Sequence, residues 1–145
     1  MFENYVKSIH GEFPINGTFR ISSGSELRSA IRESRVPDTP GIYIIYQDYI
    51  NPLNVIYIGK AGTMKTDGSF KDQGLSGRLC AKQDGMARAA FFQKKIDELG
   101  INNLYFQWFV TFSKQSHIIP AKAEADLLQV YYETCNKLPS WNNSI

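Results

Sequence analysis

Two tyrosines that lie in mirror-image tripeptides carry the strongest chemical signal in this sequence. Gly41-Ile42-Tyr43 and Tyr57-Ile58-Gly59 are separated by 13 residues. From the chain's own use of these amino acids, each tripeptide is expected by chance about 0.06 times, so the presence of both is a rare coincidence. A phenol with its ordinary pKa near 10 is a poor base at neutral pH and needs a neighbouring cation to act as one. Lys60 and Arg78 are the candidates for that cation.

A second candidate is the carboxylate of Glu124, which lies on the apolar side of a predicted helix. The apolar face of this helix holds Leu127, Leu128, Tyr131 and Cys135, whereas its polar stripe holds Asp126, Gln129, Glu133 and Lys137. A carboxylate on an apolar face needs a partner, and a divalent cation is a suitable one. The helix alone leaves open the alternative that Glu124 lies at the edge of the face and pairs with Lys122 or another base.

Positive charge is concentrated in the middle of the chain. Residues 60–95 contain eight Lys/Arg and three Asp, a net charge of +5, so the rest of the chain carries −3. This asymmetry suits a surface that meets an anionic polymer such as nucleic acid, although a solvated face is the alternative. A further basic stripe is formed by Arg28, Arg32 and Arg35, which lie along one face of a predicted helix. The alternative is that these arginines form a solvated face beside a packing side made of Leu27 and Ile31. The candidate DNA contacts are Arg28, Arg32, Arg35, Lys65, Lys71 and Lys82.

The paired tripeptides and the segments that follow them resemble the GIY-YIG endonucleases. Tyr57-Ile58-Gly59-Lys60-Ala61-Gly62 and Leu75-Ser76-Gly77-Arg78-Leu79 are similar to the start of the GIY-YIG domain of the excision-repair nuclease. In that relative the two pieces are nearly continuous, whereas here residues 63–74 intervene. The resemblance covers residues 40–143. It therefore implies a nuclease domain over 40–145 and an N-terminal extension over 1–39, as in restriction enzymes of the family.

The resemblance implies a metal-dependent DNA endonuclease that uses one Mg²⁺ or Mn²⁺ per site. It assigns metal binding to Glu124 and charge neutralisation at the phosphate to Arg78 and Lys60. The family's late asparagine matches Asn142, with Asn143 as a competing match.

The resemblance also leaves some roles open. A histidine that is often found after the family's arginine is missing, because the only histidines are His10 and His117. The base would therefore be a tyrosine, either Tyr43 or Tyr57. DNA is the expected partner, and double-strand cuts would require a dimer. The alternative is a catalytically inactive nucleic-acid-binding or interaction module on the same fold.

The elements expected to position these residues alternate between helices and strands. The sequence predicts helices over 25–34 (capped by Ser25), from Ser76 past Leu79, over 86–99 and over 121–136, and strands over 41–46, 55–58 and 104–112. Residues 1–24 read as loop with one short strand at most, and the glycines of 61–77 indicate a flexible insertion. The prediction is an α+β domain around a small, mostly antiparallel three-stranded sheet flanked by helices.

Composition limits the class of protein. The 145 residues suit one ordinary domain, and 43% hydrophobic with 21% charged residues is typical of a folded chain rather than a disordered or coiled-coil one. The apolar runs are too short for a membrane span, and the N-terminus does not resemble a secretory signal. Cys80 and Cys135 are too few for a disulfide framework, which predicts a reducing, cytoplasmic location.

Overall fold

The chain forms a four-stranded antiparallel sheet between two layers of helices. The computed structural model describes residues 1–71, 74–80, 82–83 and 86–142, with backbone alone at 82–83 and 86–87. In chain order the elements are α1 (Phe2–Glu12), β1 (Asn16–Ser22), α2 (Leu27–Glu33), β2 (Gly41–Gln47), a 3₁₀ turn (Pro52–Asn54), β3 (Val55–Ala61), α3 (Leu75–Leu79), β4 (Lys82–Gln83), β5 (Met86–Ala87), α4 (Arg88–Leu99), β6 (Asn103–Val110) and α5 (Pro120–Cys135).

The strand order in the sheet is β1-β6-β2-β3, and every neighbouring pair is antiparallel. The α+β class and the β2–β3 hairpin are confirmed, but the prediction of three strands is wrong. The fourth strand, β1, pairs with β6 over its whole length. It was hard to recognise because it buries only Phe19 and Ile21 and its partner lies far along the chain. Strands β4 and β5 form a separate two-stranded ribbon.

Side chains of β2 are buried on both faces of the sheet, because helices cover both faces. On one face, Tyr43 and Ile45 pack with apolar residues of α2, α3 and α4. On the other face, Ile42 and Ile44 pack with α1 and α5. The successive residues of one strand alternate between the two faces, so the tripeptide Gly41-Ile42-Tyr43 contributes to both cores.

Helix α1 was not predicted, since its apolar residues are few. Phe2, Val6, Ile9 and Phe13 are spaced by four, three and four residues, which is a helical period. Phe2 meets the Tyr131 ring of α5 edge-on, with ring centroids 5.5 Å apart. Because α1 and β1 join the same two cores and sheet as the rest of the chain, residues 1–39 are integral to this fold. The boundary at residue 40 stays a prediction about the extent of the resemblance.

The predicted helices and strands are confirmed with shifted ends. Ser25 does not cap α2; its Oγ accepts a hydrogen bond from the Ser22 amide at 3.0 Å, and Glu26 is at the cap position. Helix α4 ends before Gly100, whose φ of +63° suits a glycine, and its last residue, Leu99, is exposed. Pro120 is the first residue of α5. Within the described residues, no helix is long and apolar enough to cross a membrane.

Candidate active site

The β2–β3 hairpin brings the two tripeptides together. Tyr43 lies opposite Gly59, and Ile45 lies opposite Tyr57. The two tyrosines are therefore diagonal neighbours on one face of the sheet, where long side chains can meet. Their ring centroids are 5.8 Å apart, with an angle of 35° between the planes. The two phenol rings thus occupy one region of that face.

Packing explains the glycines of both tripeptides. A Cβ on Gly59 would lie 2.5 Å from a ring carbon of Tyr57 and 2.8 Å from the hydroxyl oxygen of Tyr43, so both rings lie across this residue. A Cβ on Gly41 would overlap the backbone carbonyl oxygen of Phe109 on β6. Larger residues at either position would displace the tyrosines or the strand.

Tyr43 is fully buried and accepts a hydrogen bond from the buried residue Arg88. The Arg88 Nη1 atom lies 3.1 Å from the Tyr43 hydroxyl, and the exposed fractions of the two residues are 2% for Arg88 and 0% for Tyr43. Burial raises the pKa of Tyr43 to about 12; Arg88 and Arg78 oppose this shift, whereas Tyr57 adds to it. Tyr57 is only half-buried. The phenols of the site thus differ in their access to water.

From the sequence, Arg88 is recognisable only as one of the positive charges of residues 60–95. Its spacing carried a signal, since Arg88, Phe92 and Ile96 follow one another at intervals of four on α4. All three are buried. A cation on an apolar stripe is the same kind of exception that singled out Glu124.

Glu124 lies half-buried on α5, and two other elements contribute positive charge around it. Burial raises the pKa of the Glu124 carboxyl, and the positive charges of Lys60 on β3 and Arg78 on α3 oppose that shift. The alternative pairing with Lys122 is not observed, because Lys122 Nζ lies 2.7 Å from an oxygen of Asp126. None of the ion pairs between described residues includes Glu124. Lys60 Nζ donates to Thr63 Oγ1 at 3.3 Å, and Arg78 is exposed.

The donor set suits a cation that keeps most of its water. No group of three or more His, Cys, Asp or Glu side chains that could hold a metal occurs in the described part of the chain. Glu124 is the carboxylate that the resemblance assigns to the metal. Mg²⁺ is commonly held by one or two carboxylates together with water and the phosphate oxygens of its substrate. The residues present fit that mode of binding and do not fit a closed structural site such as those of zinc.

Asn142 is bound to the outer edge of the sheet. Its amide oxygen accepts from the Ile58 amide at 2.9 Å, and its amide nitrogen donates to the Ile58 carbonyl at 2.8 Å. The Trp141 amide also donates to the Ile56 carbonyl at 2.9 Å. These bonds satisfy backbone groups that an edge strand leaves open, so Asn142 positions β3. The competing match, Asn143, lies outside the described residues.

The predicted DNA-binding residues are spread over two exposed regions. Arg28 and Arg32 are exposed on α2, and Arg35 follows the helix in a left-handed backbone conformation. Burial raises the pKa of the Cys80 thiol, and the positive charge of Arg28 opposes this shift. Buried apolar residues of α2 and α3 also belong to the same core cluster.

The second region follows β3 and includes Lys65 and Lys71, which are both exposed. The described part of the predicted flexible insertion contains a tight chain reversal, with a bridge between Met64 and Phe70 and a hydrogen bond from the Lys65 amide to the Ser69 carbonyl. The side chain of Lys82 lies outside the described residues.

Both cysteines, Cys80 and Cys135, are free thiols.

Comparison with known proteins returns no relative: no protein-family model, no curated protein and no solved structure matches this chain.

Proposed function

We propose that this protein is a metal-dependent DNA endonuclease of the GIY-YIG type. The observation that carries the proposal is the pairing of the two motif tyrosines on one face of the sheet, where their ring centroids are 5.8 Å apart. The positive charge of Arg78 also opposes the pKa shifts of Tyr43 and Glu124 that burial causes. Phosphodiester hydrolysis requires a ligand for a cation, a group that accepts a proton and positive charge near the phosphate. Glu124, the tyrosine pair and the two cations Lys60 and Arg78 supply these three requirements.

Glu124 would hold one Mg²⁺ or Mn²⁺. When bound, such a cation stabilises charge on the leaving 3′-oxygen and on a non-bridging phosphate oxygen. The carboxyl must be ionised to bind it, and burial works against ionisation. Lys60 and Arg78 favour the ionised form, so the same two cations that face the phosphate also keep the metal ligand charged.

Tyr57 is the phenol that can meet a water molecule, because it is half-buried whereas Tyr43 is enclosed. Its own proton must first leave to solvent. The phenolate oxygen then takes a proton from the attacking water, and the water oxygen bonds to phosphorus. The bond from phosphorus to the 3′-oxygen breaks, and that oxygen takes a proton from solvent. Arg78 offsets the charge that develops on the phosphate. The products carry 5′-phosphate and 3′-hydroxyl ends.

DNA would follow the basic surface that includes Arg78 and the exposed arginines of α2. Arg28 acts electrostatically on Cys80, two residues from Arg78. Contacts from these arginines to phosphates would position the duplex without reading its sequence. The cytoplasmic location expected from the two cysteines belongs to the same proposal.

The direct test is the nicking of supercoiled plasmid by the purified protein with Mg²⁺, with Mn²⁺ and with EDTA. We expect nicked product with either cation and none with EDTA, and we expect its 5′ ends to accept a ligase without prior phosphorylation. Binding to DNA without cleavage under any cation would instead indicate an inactive binding module on this fold.

A further inference from the structure

Arg88 is the most deeply buried charged residue among those that the structure describes, and only part of its guanidinium has a partner. Nη1 donates to the Tyr43 hydroxyl at 3.1 Å. Nε and Nη2 have no hydrogen-bond partner among the described residues. A guanidinium stays charged in proteins, so its burial must be offset by a nearby acceptor or anion.

Among the described residues around Arg88, the groups that can become anions are phenols. A cavity of about 20 Å³ beside it is lined by Ile45, Tyr57, Arg88, Phe91, Phe92 and Trp141. This space holds about one water molecule. The ionisable groups that act on Tyr43 are Tyr57 from β3, Arg78 from α3 and Arg88 from α4. Among these described groups, only a tyrosine can become the anion that Arg88 faces.

We propose that Arg88 is a positioning residue of the nuclease site, which fixes the Tyr43 hydroxyl and stabilises one phenolate in the Tyr43–Tyr57 pair. The catalytic role of Arg88 rests on the proposed function, whereas its electrostatic effect on the two tyrosines does not. Once one of two neighbouring phenols has ionised, a second negative charge beside it is disfavoured. The proton of that ionisation leaves to solvent by way of the more exposed Tyr57, and the phenolate regains a proton from the attacking water.

Arg88 would thus fill the place of the missing histidine as the group that prepares the base. Burial alone opposes ionisation of Tyr43, and among the causes that lower its pKa the charge of Arg88 is the largest. Arg78 acts in the same direction but is exposed, so solvent and salt screen its charge more.

The test is an ultraviolet titration of tyrosine ionisation in the metal-free protein, which requires no nuclease activity. We expect Arg88→Met to raise the midpoint of the tyrosine that ionises first, reducing its ionisation constant tenfold or more, and Arg88→Lys to restore most of the difference. Lys94→Met is the matched control, since Lys94 is an exposed cation on the same helix that pairs with Glu98. In a Tyr43→Phe background, Arg88→Met should have a much smaller effect.

Superimposable titrations of the folded wild type and folded Arg88→Met would overturn the inference. If Arg88→Met does not fold by circular dichroism, Arg88→Gln provides the second measurement. It removes the charge but keeps a donor for the Tyr43 hydroxyl, so the first midpoint should again rise, and an unmoved midpoint would overturn the inference. If the wild type nicks DNA but Arg88→Met shows no titration shift, this inference is wrong and the proposed function is not affected. A titration shift in a protein that cleaves no DNA supports the inference about the pair and defeats the proposed function.

Discussion

At the scale of single residues, Arg78 links the two halves of the candidate site. Burial raises the pKa values of Tyr43 and of Glu124, and the positive charge of Arg78 opposes both shifts. Because it is exposed, it can also reach a bound phosphate. The sequence could indicate Arg78 only through the resemblance, since an isolated arginine on a short helix is more often a surface charge.

Replacement of Arg78 should therefore affect both halves. For Arg78→Ala we expect a fall in single-turnover cleavage of about 10²-fold or more, because a group that acts on developing charge stabilises the transition state more than the ground state. The pKa of Glu124 should rise further above its ordinary value, so the acid limb of the pH–rate profile moves to higher pH. Carbon NMR of the carboxyl group checks the second effect in metal-free protein.

Lys114→Ala is the control for Arg78→Ala, since Lys114 is an exposed cation that is not among the causes of the Glu124 shift. If Arg78→Ala lowered the DNA affinity and the cleavage rate equally and left the pKa of Glu124 unchanged, Arg78 would serve only to bind a phosphate.

Tyr43 should make the protein sensitive to alkali. Its pKa is raised to about 12 in the folded state, mainly by burial, and is near 10 when unfolded. The stabilisation of the neutral phenol is complete below pH 10 and is lost as the pH rises towards 12, which amounts to about 2.7 kcal/mol for two pKa units. Between pH 10 and pH 12, the free energy of unfolding measured with urea should decline less for Tyr43→Phe than for the wild type. Tyr49→Phe, at an exposed tyrosine, should decline as the wild type does.

At the scale of the elements, the hairpin is the part of the site that the sequence predicts best. β2 and β3 are neighbours in the chain, so a short turn suffices to pair Tyr43 with Gly59. The burial of Arg88 and the bonds of Asn142 to β3 could not be predicted from the sequence, because they depend on packing between distant segments. A burial stripe on α4 hinted at Arg88, whereas nothing local indicates that Asn142 binds the Ile58 backbone.

The attachment of Asn142 to β3 should be important for stability. Asn142→Ala leaves the amide and the carbonyl of Ile58 without these partners, and we expect a loss of about 1–3 kcal/mol in the free energy of unfolding. Asn142→Asp keeps the acceptor but loses the donor, so its free energy of unfolding should also be lower than that of the wild type. Denaturant unfolding measures both, with Asn4→Ala on the exposed side of α1 as the control. Wild-type stability in Asn142→Ala together with lost cleavage would instead give Asn142 a direct chemical role.

Helix α2 is predicted to add phosphate contacts. We expect Arg28→Ala/Arg32→Ala/Arg35→Ala to weaken DNA binding, and to flatten the plot of log affinity against log salt by about one unit for each contact that is lost. The affinities are measured with metal-free protein, so that no cleavage occurs. Lys7→Ala on α1 is the control, because this residue lies on the opposite layer and pairs with Glu3. Equal slopes and affinities in all three proteins would show that these arginines face only solvent.

At the scale of the whole molecule, the sheet is larger than the sequence indicated. The fourth strand and helix α1 both come from residues 1–24, where apolar residues are sparse and their partners lie on β6 and α5. Their burial is decided by tertiary packing rather than by local preference. The sequence nevertheless predicts the class of fold, since the strongly apolar β2 must be covered on both faces.

The central claim is that Glu124 holds the metal of a nuclease site at a cost to the stability of the metal-free protein. Because burial raises the pKa of its carboxyl, the contribution of the neutral carboxyl to folding is complete below the ordinary pKa and is lost as the pH rises through the raised pKa. At neutral pH the ionised group therefore brings no such stabilisation, and an uncharged amide in its place should not weaken the fold.

The measurement is plasmid nicking with Mg²⁺ by Glu124→Gln, together with its free energy of unfolding at neutral pH. Glu133→Gln is the exposed control on the same helix. We predict that Glu124→Gln abolishes nicking, keeps DNA binding and is at least as stable as the wild type, whereas Glu133→Gln cleaves normally. Near-normal nicking by Glu124→Gln would contradict the account.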